Sequence, residues 1–585
     1  MGEAALFLDA TGLIGFFRGH RTPMGMARVQ MALLDAGLKP PALLEPVAFA
    51  RAGGLRRVDP VALRPVLDAA RAGGPADDPE WLALLARLHE SLDEAPLAPI
   101  ARGDRLFFPG PGGAEEFLRL RPWQEEAGAR LCVLFHDALP LSLPEHAPPD
   151  LVEEFGRFFG VLCLGADRVV AVSEHARREF LHWQRRFLPA LEIPAGVLGL
   201  DAKLPDSPPE DLPAPLDDGR RFVLCVATLE SRKDHAFLLR VWRTLIRRHG
   251  EAAVPDLVLA GREGFGAEAA LRLLAQAPEL RRKVHWLRDL GDGALAALRR
   301  AALLCVFNSF GEGWGLPVTE ALAAGRLVLA PDHTSLREAG GEAALYFAPG
   351  EEESFLSLLW PLCADDAHRE ATERRLLPRL RLRSWREVAE ALREELLREE
   401  ALPPPPLERT PLALGWRLPF AAPLLADGLP EPGALLPLFL REGEGWAAAE
   451  GSGVWLLDPP EGGAPPRLRL RLPHALGQPR LFLEAAAPPA PVTLGLRIRT
   501  ASGEASPWRE MRFAPSEDRL LVVDLPPLPA GDALVEFDTA GSATPPREAR
   551  RLNAQLRAMM LCEAADQASQ LRFLLEFPRC RHFPA

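Results

Sequence analysis

Between residues 1 and 400 the chain repeats one unit: a short, wholly apolar run, a turn, then a segment with the apolar spacing of an amphipathic helix. The apolar runs lie at 5–8, 131–135, 169–172, 222–226, 257–260, 284–287, 303–307 and 327–330. Strands apolar on both faces belong to parallel sheets with helices on either side. Their alternation with helices predicts doubly wound α/β domains. The stretch LPDSPPEDLPAPLDD at 204–218 interrupts the repeat with proline and acid and no apolar period, as an exposed linker would. Two Rossmann-like domains are therefore expected, 1–203 and 219–380. A helix within 381–401, with Ser384 as its cap and a full apolar stripe, follows them.

A second proline-rich stretch, 402–412, reads as a stiff spacer. Beyond it the period changes to two. RLRLRL at 467–472 and TLGLRIRT at 493–500 alternate strictly, and Pro/Gly turns separate such segments. One wet face per strand predicts antiparallel pairing, hence a β-sandwich over 413–585. A single helical stretch is expected in this module, at 546–560. No internal repeat of the sequence itself is visible in the chain.

Composition narrows the function. With 48% hydrophobic and 25% charged residues the chain is globular. A net charge of −12 excludes a nucleic-acid partner, because binding there draws on released counterions. The seven cysteines stand singly in apolar surroundings without a C-x-x-C pair, which fits reduced core thiols and neither a disulfide frame nor a zinc site. Glu3 and Asp9 stand where a signal peptide would be basic, and no run of about 18 uncharged apolar residues occurs, so a cytoplasmic protein is expected. Lysine is scarce: Lys39, Lys203, Lys233 and Lys283 are the whole set.

The densest chemistry lies at 310–324, FGEGWGLPVTEALAA. It follows an apolar strand and leads into a helix with Pro317 in its first turn, where proline costs no hydrogen bond. Gly313, Trp314, Gly315 and Leu316 precede that turn and leave N–H groups free at the positive helix end, suited to phosphate. Glu312 before the turn and Glu320 within the helix are suited to accepting hydrogen bonds from sugar hydroxyls. A second segment, FVLCVATLESRKD at 222–234, carries Arg232 and Lys233 past the end of a buried strand, where this fold class binds ligands.

These segments resemble glycosyltransferase family four, whose signature is two glutamates separated by seven residues around a glycine-rich core. The resemblance is dense over 219–350. It implies a GT-B arrangement, two Rossmann-like domains facing across a cleft, and a retaining transfer from a nucleotide sugar without metal or cofactor. It implies that Lys233 meets the diphosphate, that Glu312 holds donor-sugar hydroxyls and that Glu320 holds the ribose. Thr228 stands where many members have arginine; whether Arg232 replaces it or points to solvent stays open. By the same resemblance Gly261 passes close to the nucleotide, Leu287 borders the base and Gly25 belongs to a loop facing the diphosphate. His136, in the His136–Asp137 step after the strand at 131–135, approaches the donor sugar, and Ser173 caps a helix near the acceptor cleft. The helix in 381–401 packs back across the cleft.

TLESRK and GREGFGAE look most like mannosyltransferases of O-chain assembly, which favours GDP-mannose as donor and a glycan or lipid-linked saccharide as acceptor. A lipid-linked acceptor implies peripheral contact with the inner face of the cell membrane. The pairs Gly445–Trp446 and Val454–Trp455 are similar to sandwich modules appended to bacterial polysaccharide enzymes, with the tryptophans expected in the core. Two other classes stay open: a GT-B epimerase or phosphorylase, and a non-catalytic carbohydrate-binding protein. The second predicts loss of the phosphate residues, whereas Lys233, Glu312 and Glu320 are all present.

Overall fold

The computed structural model describes residues 4–51, 53–110, 112–203, 211–216, 219–421, 424–425, 428–450, 452–459, 463–544 and 550–577. The first domain holds β1 (Leu6–Asp9), β2 (Glu45–Phe49), β3 (Leu55–Arg57), β4 (Arg105–Phe108), β5 (Arg130–Phe135), β6 (Arg168–Ala171) and β7 (Ala195–Val197). They form one sheet in the order β3-β2-β1-β4-β5-β6-β7, parallel except for β3. The second holds β8 (Phe222–Val226), β9 (Asp256–Ala260), β10 (Val284–Leu287), β11 (Cys305–Val306), β12 (Val328–Pro331) and β13 (Leu345–Phe347). Its order, β10-β9-β8-β11-β12-β13, is parallel throughout. In both sheets the winding reverses beside the first strand, between β1 and β4 and between β8 and β11. Doubly wound sheets take ligands at that switch point, beyond the carboxyl ends of the strands.

Of the stretch read as a linker, 204–210 and 217–218 lie outside the described residues. The helix Trp385–Leu397 starts in a reciprocal cap between Ser384 and Glu387 and packs on the helix Gly25–Leu38 of the first domain. The chain thus returns to the domain it left.

The spacer reading of 402–412 needs correction. Pro406–Arg409 is a short helix, and the fully buried Arg409 guanidinium donates to the carbonyls of Cys163 (3.2 Å) and Ala166 (2.8 Å). Those carbonyls terminate the helix Pro149–Gly165, so a cation there satisfies acceptors that the helix itself leaves free. The spacer is riveted to the first domain.

Beyond it two antiparallel sheets face each other, one built around Leu552–Glu563 and the other around Gly531–Ala540. Leu470, Leu494 and Phe537 of one sheet and Leu481, Leu483 and Leu556 of the other fill the space between them. The helix expected at 546–560 is not there: 545–549 lie outside the described residues, and Leu552–Glu563 is the central strand of its sheet. Its Ala, Leu, Met and Arg content favours helix locally. Pairing on both edges decides otherwise: one face lies in the sandwich core, and the other meets the helix Gln567–Glu576 through Phe482, Met560 and Phe573. A further helix, Pro432–Leu440, seats the module on the helix Pro149–Gly165. A Cβ at Gly156 would lie 2.0 Å from the Gly428 carbonyl oxygen, and one at Gly160 2.5 Å from Leu435. Trp446 packs edge-on against Phe537 at the core margin, and Trp455 is half-buried with its indole N–H on Glu450. All six described cysteines are free and buried; Cys580 lies outside the described residues. Among the described residues no helix is long and apolar enough to cross a membrane.

Candidate active site

The carboxyl ends of the two parallel sheets face each other across a cleft of about 450 Å³. β8 ends at Val226 and β11 at Val306, neighbours at the switch point, so the loops that follow enter the cleft side by side. The loop after β8 turns through Ser231–Lys233 and presents two cations. Lys233 is 9% exposed, its ammonium 5.0 Å from the centre of the Phe307 ring. Arg232 points into the cleft and not to solvent: one nitrogen donates to the Gly311 carbonyl (2.6 Å) and to Glu312 (3.0 Å), the other to Glu230 (2.8 Å).

Glu312, from the loop after β11, receives both cations on Oε1. Burial alone would raise its pKa, but the charges of Lys233 and Arg232 outweigh burial and bring it down to about 2. Burial pushes the other way on Arg232, yet Glu312, Glu230 and Asp137 hold its pKa above the ordinary value. The result is a fixed charge triad at the centre of the cleft.

Past Glu312 the chain tightens. A Cβ on Gly313 would lie 2.2 Å from the His136 carbonyl oxygen of the opposite domain, so only glycine allows this approach. Ser173, which caps the helix Glu174–Phe187, also donates to the Gly313 carbonyl at 2.7 Å. Gly315 has φ +106° and starts the helix Leu316–Ala323 with Pro317 in its first turn. Trp314 is buried with its indole N–H on Thr319 at 3.0 Å, and Ser335 donates to the carbonyls of Glu312 and Trp314. These contacts fix the glutamate-bearing loop without using its carboxylates.

Glu320 lies on the buried face of that helix, and neither of its oxygens is idle. Oε2 pairs with Arg299, itself 1% exposed, and Oε1 stands 3.2 Å from Nε of Arg28 on the first domain. From the first domain also come Gly25, in a positive-φ turn with open space around it, and His136. Nε2 of His136 donates to the Pro109 carbonyl at 3.1 Å, so Nδ1 is left as the acceptor. Burial lowers the His136 pKa to about 4, against the opposing pull of that carbonyl, and the ring is neutral at pH 7.

Thr228, Gly261, Gly313, Trp314, Gly315 and Leu316 line the cleft with these groups. Leu287 does not line it; its carbonyl accepts from Gly261 N–H at 2.9 Å, and Asp289 and Leu290 form the wall there. Gly261 is a glycine for a different reason from the one expected: a Cβ would lie 2.1 Å from the Ala227 carbonyl oxygen, so the close approach is within the sheet edge. Among the lining residues outside every quoted motif are four charged ones: Arg28, Asp289, Asp292 and Arg299. Arg28 lies one turn after Gly25 on the same helix, which places it at the cleft without marking it in the sequence.

The family model described as glycosyl transferases group 1 matches residues 210–375. The serotype-specific mannosyltransferase WbdA of Escherichia coli is 29% identical over 285 residues, 46% of this chain and 34% of the relative. The chain thus spans about a third of the length of that relative. The O-antigen chain mannosyltransferase B of Escherichia coli is 30% identical over 264 residues, 44% of this chain and 67% of the relative. Among solved structures, Anabaena HepE in complex with UDP and glucose is 17% identical with a TM-score of 0.45, covering 68% of this chain and 99% of that one. The sandwich module has no part in the matched 210–375. With two Rossmann-like domains in the GT-B arrangement and a relative matched over two thirds of its length, the chain belongs to the glycosyl transferases group 1 family.

Proposed function

We propose that this glycosyltransferase is a retaining, metal-independent enzyme that moves mannose from GDP-mannose to a glycan or lipid-linked saccharide of a bacterial surface polysaccharide. The carrying observation is the buried Lys233–Glu312–Arg232 triad at the switch point, one helix turn from a free helix N-terminus. Lys233, Arg232 and that N-terminus supply fixed positive charge where the leaving diphosphate gains negative charge, the role a metal plays in other transferases. Glu312, ionised over the whole working pH range, accepts hydrogen bonds from the donor sugar and shares its cations with the phosphates. Neutral His136 offers Nδ1 to the sugar from the opposite domain. Glu320, steadied by Arg28 and Arg299, faces the ribose. In this mechanism the departing phosphate oxygen takes the acceptor's proton as the new bond forms on the same face, and no protein nucleophile is used. Mannose as the sugar rests on the mannosyltransferase relatives, and GDP as carrier goes with it.

The test is release of nucleoside diphosphate from GDP-, UDP- and dTDP-sugars in EDTA, for the wild type and Glu320→Ala. Metal-free turnover of GDP-mannose, lost in the variant, is expected. Preference for a UDP-sugar would overturn the donor, and full suppression by EDTA would overturn metal independence.

A further inference from the structure

Among the described residues, Arg28 is the charged side chain that the first domain sends to Glu320. It leaves the helix Gly25–Leu38 and reaches two carboxylates of the second domain: Glu320 at 3.2 Å and Asp292 at 2.9 Å. Side-chain exposures of 16% for Arg28, 19% for Asp292 and 7% for Glu320 place this junction largely out of water, where charge pairs are strong. The pull of both acids raises the Arg28 pKa despite its burial. The backbone is shaped for the same approach. A Cβ on Gly73 would lie 3.2 Å from Gly291 Cα, and one on Gly291 3.0 Å from the Ala72 carbonyl oxygen. Gly291 caps the helix that begins with Asp292.

The charge count gives this geometry a direction. Within the second domain, Glu320, Asp292 and Arg299 carry a net single negative charge; Arg28 cancels it. With the domains apart, Asp292 lacks its Arg28 partner and Glu320 has one of its two oxygens fixed, by Arg299. With the domains together, each oxygen has a partner. A carboxylate offers about four lone-pair sites, so two remain for a pair of vicinal hydroxyls. Arg28, Asp292 and Glu320 line both the cleft and a second cavity of about 460 Å³, so the junction stands between the two.

We propose that Arg28 is a positioning residue that couples closure of the two domains to the donor-binding carboxylate. Closure delivers its guanidinium to Glu320 and Asp292, fixes the carboxylate for the ribose, and carries the Gly25 turn onto the cleft in the same movement. This rests on the reading of Glu320 as a donor ligand.

The experiment measures GDP affinity, donor KM and kcat, and the inter-domain distance by pulsed electron resonance. Spin labels are placed at Val61→Cys and Arg374→Cys in a Cys580→Ser background; both sites are well exposed, one on each domain. The wild type is expected to bind GDP and adopt one short distance. Arg28→Ala should bind GDP about ten- to hundredfold more weakly, raise donor KM by the same factor, and keep a broad, longer distance at saturating GDP. Asp292→Ala should reproduce the open distribution with the first domain untouched, and Arg28→Lys, which reaches one acid only, should restore part of the closure. If Arg28→Ala closes fully at saturating GDP with unchanged donor KM, the coupling is refuted while the donor site stands. If the wild type binds no nucleoside diphosphate, the donor reading falls and the coupling with it.

Discussion

Replacing Glu312 by glutamine keeps the shape of the side chain and removes its charge. In the native cleft that charge is the shared counterion of Lys233 and Arg232, and the carboxyl pKa falls from its ordinary 4.5 to about 2. At about 1.4 kcal/mol per pH unit, the charged form gains about 3 kcal/mol on folding. The variant loses this and leaves two cations facing each other in a dry pocket. For a domain of this size, about 3 kcal/mol lowers the melting temperature by about 6–12 °C. The sign with pH follows from the depressed pKa. The wild-type advantage is complete above pH 4.5, shrinks as pH falls toward 2, and has no counterpart in the variant, whose amide does not titrate. Nucleotide adds a second readout. A diphosphate brings negative charge to Lys233, which the variant has left without its carboxylate, and to Arg232, which keeps only Glu230, so GDP should raise the melting temperature more in Glu312→Gln than in the wild type. Transfer should fall about a hundredfold or more. Scanning calorimetry from pH 4 to 8, with and without GDP, tests both. A variant as stable as the wild type without nucleotide throughout that range would refute Glu312 as the shared counterion of Lys233 and Arg232.

Three further outcomes follow from single distances or charges. Because His136 is held neutral with a pKa of about 4, kcat/KM should be flat between pH 5.5 and 8; an inflection near 6.5 that disappears in His136→Gln would contradict this. Gly313→Ala places a methyl 2.2 Å from the His136 carbonyl oxygen and must part the domains; transfer should drop about a hundredfold, and calorimetric GDP affinity should fall with it, as for the other variants that hold the domains open. Asp289, at φ +56° on the cleft wall beside Arg262, presents a carboxylate that can accept from both the ring N–H and the exocyclic amine of guanine. Asparagine tolerates the same backbone but accepts once, so Asp289→Asn should cost a GDP-sugar about tenfold in kcat/KM relative to a UDP-sugar.

Lys233, Glu312 and Glu320 were legible in the sequence because each lies within one strand–turn–helix unit, where a few neighbours determine which way the side chain points. The β–α alternation was legible for the same reason. Arg28 and Arg299 were not. Arg28 meets Asp292 across 264 residues of chain, and in a protein where arginine serves as the usual surface cation nothing marks one as buried. Leu287 fell one step behind the cleft wall because a strand end can be read to within a residue or two, and one residue changes what faces the ligand. The strand at Leu552–Glu563 was hidden by good helix formers whose neighbours on both edges override them.

Glycine shows the limit most clearly. Gly156 and Gly160 stand inside the helix Pro149–Gly165, where each costs about 1 kcal/mol relative to alanine. Read locally they weaken a helix for no gain. Their contacts supply the gain: the Gly428 carbonyl and Leu435 occupy the space that side chains would need, and Arg121 and Arg409 pin the backbones on either side of the joint. Gly313 does the same between the two catalytic domains. In each case a residue that reads as local permission is a demand made by a distant part of the chain. The sandwich is therefore fixed to the first domain beneath the short helix Leu139–Ser142 that follows His136: a Cβ on Gly428 would lie 3.3 Å from Leu141. A module anchored there restricts how the first domain's side of the cleft can move.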